Sequence, residues 1–302
     1  MSDLAELRAA AFSVAYRMLG SVSEAEDVVQ ETLIRVHATL GRGERIESPR
    51  AYAATVATRL AIDALRSARL RREIYVGEWL PEPIVTGVEH DPALRAELAD
   101  SLSLAFLVLL ESLSPEQRAV FLLREVFGYG YGEIADIVGK SEDNARQIAA
   151  RARRHVEERR PRFDTSRERR DALADRFFAA AQEGELEALE ALLAEDVELH
   201  GDGGGKVPAL ARALRGRNRV ARTLLAWNRQ RQKLRGVSLR RVEINGQPGA
   251  LVLDYEGRVF GVFALDIHDG RVQSLRSVVN PDKLGHLGDV GDMRALLRTP
   301  AR

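Results

Sequence analysis

The chain has no cysteine, which excludes disulfides, thiol catalysis and Cys-ligated zinc and suits a reducing cytoplasm. It has no net charge either. Its 45 basic residues balance 45 acidic ones, so no global field draws it to nucleic acid or membrane, and any DNA binding has to come from local patches. Long apolar runs are also missing. The longest, residues 102–110, is too short to span a bilayer, and residues 1–20 lack the basic start and unbroken apolar core of a signal peptide. A cytoplasmic protein with no membrane partner is expected. Lysine is confined to Lys140, Lys206, Lys233 and Lys283, which leaves arginine as the main cation. With 45% hydrophobic and 30% charged residues over 302 positions, the composition is that of a soluble globular protein long enough for two or three domains.

Within this chain, residues 130–158, GYGEIADIVGKSEDNARQIAARARRHVEE, read as two helices joined by a tight turn. Ile134, Ile137 and Val138 mark the buried face of the first helix, and Gly139 ends it as a residue able to take a positive φ. Ser141 is placed to cap the second helix, with Glu142 and Asp143 at the positive end of its dipole. There Ala145, Ile148, Ala149, Ala152 and Val156 form one apolar stripe. The opposite side presents Asn144, Gln147, Arg151 and Arg154, flanked by Arg146 and Arg153. Amides near the start of such a helix pair with adenine edges, and later arginines hold phosphates or read guanine. An ordinary surface helix with a solvated arginine face has the same pattern.

Residues 3–72 are helical in pattern throughout. Residues 75–91, YVGEWLPEPIVTGVEHD, carry Gly77, Pro81, Pro83 and Gly87 and read as a linker. Helical periodicity resumes at Pro92 and lasts to about Arg160, and residues 161–170 form a polar hinge. The remainder opens with helices at 171–182 and 185–194, then turns strand-like from Val197, with a helix at 218–232 and a tight hairpin turn at 268–271. It is expected to be α+β, with helices packed on a curved antiparallel sheet.

In the first helical region, residues 25–40 place Ala25, Val28, Val29, Thr32, Leu33, Val36 and Leu40 on a core face. Asp27, Gln30, Glu31, Ile34 and Arg35 lie opposite, where an isoleucine ringed by polar groups suits either a protein contact or one exposed residue on a plain amphipathic helix. The helix of residues 48–73 starts with Ser48-Pro49, an N-cap and an N1 proline. Val56, Ala57, Leu60 and Ala64 form its expected buried stripe, with Arg59, Asp63 and Arg66 opposite and Arg69, Arg71 and Arg72 at its end. Those last arginines suit the helix dipole or DNA phosphates equally.

Taken in order, the strings EAEDVVQETLIRV, YAATVATRLAIDALRS and LSPEQRAVFLLREVFGYGYGEIADIVGKS resemble the core of an extracytoplasmic-function sigma factor of the sigma-70 family over residues 5–160. WLPEP at 79–83, DGGGK at 202–206 and NPDKL at 280–284 resemble the signatures of the group that carries a fused C-terminal SnoaL-like domain. The resemblance implies a multidomain chain. A region 2-like helical domain (1–74) is followed by a linker with WLPEP (75–91), a region 4-like helix-turn-helix domain (92–162), a hinge (163–170) and a cone-shaped α+β regulatory domain (171–295).

The resemblance also implies residue roles. Asp27, Gln30, Glu31, Ile34 and Arg35 would meet the β′ clamp helices of core RNA polymerase, whose β flap is a further expected partner. Arg59, Asp63, Arg66, Arg69, Arg71 and Arg72 would lie at the promoter minus-10 element, where strand opening favours capture of unstacked bases. Ser141, Asn144, Arg146, Gln147, Arg151, Arg153 and Arg154 would lie at the minus-35 element. Many relatives carry Arg-Asn where this chain has Thr58-Arg59. Trp79, Leu80, Pro81, Glu82 and Pro83 are expected to meet Asp202, Gly203, Gly204, Gly205 and Lys206, and also Asn280, Pro281, Asp282, Lys283 and Leu284, as regulatory contacts between parts of the chain.

No cofactor, metal site or catalytic residue is expected. His200, Asp202, Asp254, Asp266 and His268 are titratable candidates in the third region, but no spacing among them marks a base beside an oxyanion donor. Residues 202–206 lack the GxxxxGK[ST] form of a nucleotide loop. A small ligand of the C-terminal domain, unnamed by the sequence, could set its state. The competing functions are a one-component helix-turn-helix regulator with a ligand-sensing domain, and a SnoaL-like isomerase or cyclase.

Overall fold

The computed structural model describes residues 4–86, 101–158, 166–234, 236–293 and 295. The expected helical stretch at 92–100, the end of the linker at 87–91 and the hinge residues 163–165 lie outside the described residues. The chain divides into two compact units, Met1–Ile74 with Phe106–Arg160, and Tyr75–Ala105 with Pro161–Arg302. No described helix is long and apolar enough to cross a membrane.

The first unit is all helical: α1 (Leu4–Leu19), α2 (Val22–Gly41), α3 (Pro49–Glu73), most of α4 (Leu104–Leu110), α5 (Pro115–Glu125), α6 (Tyr131–Val138) and α7 (Glu142–Glu157). Serines start four of these helices. Ser21, Ser48 and Ser141 each accept a main-chain N–H three residues on, and Ser114 with Gln117 forms a reciprocal capping box. The core of the first three helices differs from the expected stripe on α3. Ala53, Ala57, Ala61, Leu65 and Ala68 are buried, whereas Leu60 and Ala64 sit at the margin, because α3 is sandwiched by α1 and α2 and needs its smallest side chains at the closest approach. Leu40, also expected in the core, is 49% exposed in the last turn of α2, and Thr39 is buried instead.

The second unit is built on a seven-stranded sheet with order β1-β4-β5-β6-β7-β2-β3. Its strands are β1 (Val85–Thr86), β2 (Leu193–Asp202), β3 (Leu214–Arg215), β4 (Ser238–Ile244), β5 (Gln247–Leu253), β6 (Val259–His268) and β7 (Arg271–Val278). Helices α8 (Arg167–Glu183), α9 (Leu186–Leu192) and α10 (Arg217–Gln232) contribute Phe177, Leu189 and Val220 to a core shared with Leu199, Leu265 and Leu275 of the sheet.

Three expectations need correction here. The sheet is mixed, not purely antiparallel, since β2 pairs parallel with β7. The β4–β7 meander is forced antiparallel by short turns, two of them Asn245-Gly246 and Asp269-Gly270 with every φ between 51° and 75°, whereas β2 is separated from the meander by α10 and is free to lie parallel. The hinge is shorter than expected, because Ser166 caps α8 and residues 167–170 are already helical. The segment expected to be a linker is packed structure. Leu80 is fully buried, Pro81, Glu82 and Pro83 are buried beside it, and β1 adds to the sheet edge on β4. Its prolines favour extended backbone, which suits an edge strand as well as a loop.

Candidate nucleic-acid interface and connector latch

In the first unit the helix-turn-helix forms as the sequence predicts. Gly139 ends α6 at φ 67°, Ser141 caps α7, and Ala145, Ile148, Ala149, Ala152 and Val156 are all buried. Gln147, Arg151 and Arg154 are exposed, and Asn144 is half-buried. Arg146 pairs with Glu142 and lies 5.5 Å from the Tyr131 ring, while Arg153 reaches Glu125 at 2.5 Å. Among the described residues Arg151 and Arg154 have no ion pair, so they are the cations of this face most available to an outside anion. Ser141 is exposed, but its hydroxyl serves the cap.

The arginines of α3 are occupied within the same unit. Arg59 donates to the last-turn carbonyls of α6, Asp136 at 2.8 Å and Ile137 at 3.1 Å, where the helix dipole is negative. Arg66 bridges Asp63 at 3.0 Å and Glu116 of α5 at 3.2 Å, and Arg71 pairs with Glu24. Arg72 holds the Leu19 carbonyl and Glu111. Arg69 is half-buried. Thr58 faces inward with its hydroxyl on the Ala54 carbonyl, leaving Arg59 as the exposed member of that pair.

Beneath this edge lies a buried cluster that sequence patterns did not single out. Arg118, fully buried, donates to the Arg17 carbonyl at 3.1 Å and pairs with Glu111, so it ties α5 to α1. Burial pushes the Glu111 carboxyl up, but the charges of Arg118 and Arg72 outweigh it and hold the group below its usual range. Burial, only partly offset by Tyr16, lowers the Arg17 guanidinium to about 10. On α2, Asp27, Gln30, Ile34 and Arg35 are exposed, Ile34 at 63%, and Glu31 binds Arg35 at 2.7 Å.

In the second unit the strings WLPEP, DGGGK and NPDKL converge on one buried ion pair. Asp202 and Lys283 meet at 2.7 Å with side chains 0% and 7% exposed. Asp202 accepts from the Leu80 main chain at 2.9 Å, the Tyr75 hydroxyl at 2.6 Å and the Gly204 main chain at 3.0 Å. Lys283 also donates to the Leu80 carbonyl and lies under the Trp79 and Tyr75 rings at 4.3 and 4.9 Å. Both charges are thus satisfied by the connector's own main chain and aromatic rings. Gly204 has φ 57°, and a β-carbon there would sit 2.3 Å from the Asn280 amide, so glycine is needed for the loop to reach Asn280. Asn280 in turn holds the Tyr75 hydroxyl at 2.8 Å, and Lys206 pairs with Asp282 at 2.5 Å. Gly203 and Gly205 complete the loop, Pro281 starts a 3-10 turn, and Leu284 is buried. Burial, then the bond to Asp202, pushes the Tyr75 hydroxyl pKa up, so it stays a donor.

Three further residues, Asn245, His286 and His200, hold this connector in roles that the sequence did not assign. Asn245 accepts from the Ile84 main chain at 2.8 Å and donates to the Leu102 carbonyl at 2.9 Å, and His286 meets the Pro83 carbonyl at 2.6 Å. Glu78 meets His200 at 2.7 Å, whose other ring nitrogen faces Glu198 at 3.1 Å. Asn245 was visible only as the first residue of an Asn-Gly hairpin turn. The titratable candidates do structural work elsewhere as well: Asp254 accepts from Glu256 and Arg258 in a turn, and Asp266 binds Arg276 and Ser274.

A helix-turn-helix unit bearing arginine-rich α3, followed by an α+β domain that grips the chain between the two helical parts, defines a class. The chain belongs to the extracytoplasmic-function (ECF) RNA polymerase sigma factors. Its profile matches are Sigma-70 region 2 over residues 4–71, Sigma-70 region 4 over 103–156 and the SnoaL-like domain over 174–279. It is similar to the ECF RNA polymerase sigma factor SigJ of Mycobacterium tuberculosis, 37% identical over 292 residues that cover 94% of this chain and 92% of the relative. It is 33% identical over 286 residues, 93% of each, to the probable ECF RNA polymerase sigma factor SigI of the same species. The crystal structure of SigJ superposes with a TM-score of 0.73 at 34% identity, covering 94% of this chain and 98% of that one. Members of this family are sigma factors and not enzymes, which sets aside the isomerase and the one-component regulator.

Proposed function

We propose that this sigma factor reads promoters through α3 and α7 and is restrained by its own C-terminal domain. Sigma factors bind core RNA polymerase and promoter DNA. The exposed face of Asp27, Gln30, Glu31, Ile34 and Arg35 on α2 suits the β′ clamp helices, α3 suits the minus-10 element, and α7 with Arg151 and Arg154 suits the minus-35 major groove. The residue boundaries are read as region 2 in 1–74, region 4 in 92–162 and the regulatory domain in 171–295.

The single observation that carries the regulatory reading is the Asp202–Lys283 pair closed over the main chain of Leu80. While the connector is held there, α3 and α5 stay on a short tether, and Arg59 and Arg66 remain spent on α6 and α5 instead of DNA. Releasing residues 75–86 would add up to about 40 Å of chain at 3.3–3.6 Å per residue, enough to let the two promoter readers separate. A neutral chain then needs little affinity for DNA alone, because polymerase supplies most phosphate contacts.

The test is run-off transcription with core polymerase, comparing the full chain with the Asp202→Asn, Lys283→Met double variant, which removes both charges together. We expect initiation to rise several-fold. Equal output, with equal polymerase affinity, would refute the restraint. Failure of the unaltered chain to stimulate core polymerase on any promoter would refute the promoter-reading assignment.

A further inference from the structure

Between the sheet of the second unit and α8 and α10 lies a cavity of about 260 Å³ whose walls include Phe177, Phe178, Trp227, Phe260 and Phe263. Trp227 and Phe263 stand 6.2 Å apart at 37°, and Phe177 meets Phe178 edge-on at 5.3 Å. No Asp, Glu, His or Lys lines the cavity among the described residues, so it offers no general base. Its one charged side chain, Arg231, is already engaged. Nε and Nη2 donate to Asn228 Oδ1 at 3.2 and 2.7 Å and Nη1 to the Val237 carbonyl at 3.1 Å. The Asn228 amide is turned onto the Gln182 carbonyl at 3.0 Å.

Among the buried side chains of the lining, one polar group remains unspent. Ser277 lies on β7 between Leu275 and Val279, which face the cavity with it, and among the described residues none bonds its hydroxyl. Small residues stand where bulk would close the space, Ala181, Ala209 and Gly261 among them. An apolar guest that fills a ring-lined cavity of this size gains dispersion contacts with its walls.

We propose that this cavity binds a small, uncharged, ring-bearing molecule with a single carbonyl or hydroxyl group, which the Ser277 hydroxyl holds. The aromatic walls stack on its rings, and the lack of a free charge in the lining rejects ionised analogues, whose desolvation would go uncompensated. The cavity also abuts the latch. Gly201 and Val279 line it, and the next residues along the chain are Asp202 and Asn280. A guest that moves the ends of β2 and β7 therefore acts on the latch across one peptide bond on each strand. This coupling rests on the regulatory reading above, whereas the binding site does not.

The test uses the full chain and 6-propionyl-2-dimethylaminonaphthalene, an uncharged naphthyl ketone whose emission shifts to the blue in apolar surroundings. Saturable one-to-one binding is expected. It should weaken about fivefold in Ser277→Ala, the worth of one hydrogen bond near 1 kcal/mol, and be lost in the cavity-filling Ala181→Phe. An anionic comparator, 1-anilinonaphthalene-8-sulfonate, should bind at least about tenfold more weakly, since its sulfonate has no free partner. No saturable binding, equal binding by the unaltered chain and Ser277→Ala, or equal affinity for the sulfonate would overturn the site. For the coupling, chymotryptic cleavage after Tyr75 or Trp79 should speed up several-fold when the ketone is bound. Unchanged cleavage at saturation overturns the coupling while leaving the site, and neither result depends on polymerase.

Discussion

The arginine edge of the helical unit and the buried ion pair of the sheet domain both set a cation against oxygen, but they differ in their access to water. Arg66 is 56% exposed and Glu116 37%, whereas Asp202 and Lys283 are 0% and 7% exposed. Exposed pairs of this kind contribute about 0–1 kcal/mol and exchange readily for a phosphate, while a buried pair stripped of one partner costs about 3–5 kcal/mol. The difference teaches where control can reside. Each exposed arginine can trade its partner singly, whereas opening the buried pair would require the connector and both charges to leave together.

That contrast can be broken from either side. The largest effect is expected for Lys283→Ala, which leaves Asp202 buried and unpaired. Urea unfolding of the full chain should show the sheet domain weakened by about 3–5 kcal/mol. A loss no greater than that of a surface substitution would mean that the latch is already wet. Gly204→Ala comes next, at about 1–3 kcal/mol, because it combines a positive φ with a collision against Asn280. Its signature is melting of the second unit alone. Glu111 sharpens the comparison through pH. Its folded pKa lies below the unfolded value, so its contribution is complete above the ordinary glutamate range and disappears as pH falls through the folded value. In Glu111→Gln the acid-side slope of stability should flatten. The smallest effect belongs to Arg66→Ala, within about 1 kcal/mol on stability, although run-off transcription should fall if this residue reaches DNA.

The helix-turn-helix was legible because everything that makes it is local. A 3.6-residue period, one glycine at Gly139 and one serine at Ser141 decide it without distant partners. The hairpin turn at Asp269-Gly270 was legible for the same reason. The latch strings could be picked out, but only as a resemblance, since Leu80 and Asp202 are 122 residues apart and Asn280 and Tyr75 205 apart. Nothing in the spacing of EINGQP says that Asn245 also holds Ile84 and Leu102, because a turn residue's side chain is aimed by tertiary packing. The parallel pairing of β2 with β7 escaped for a related reason: strand direction follows from connectivity in three dimensions, and alternation of side chains is the same in both arrangements. Extended, proline-bearing sequence likewise cannot separate a loose linker from an edge strand, which is why residues 79–86 were read as the former.

The brief strand β1 has a consequence for solubility. Val85 and Thr86 pair with Ile244 and Glu243 at the free margin of the sheet. Were the connector released as proposed, the end of β4 would lose its cover and present bare N–H and C=O groups that another chain can extend. Arg240, Arg241 and Glu243 on that strand act as gatekeepers against such stacking. Self-association of such a released form would be held back by those three charged side chains, and prompt uptake by a partner would protect it best.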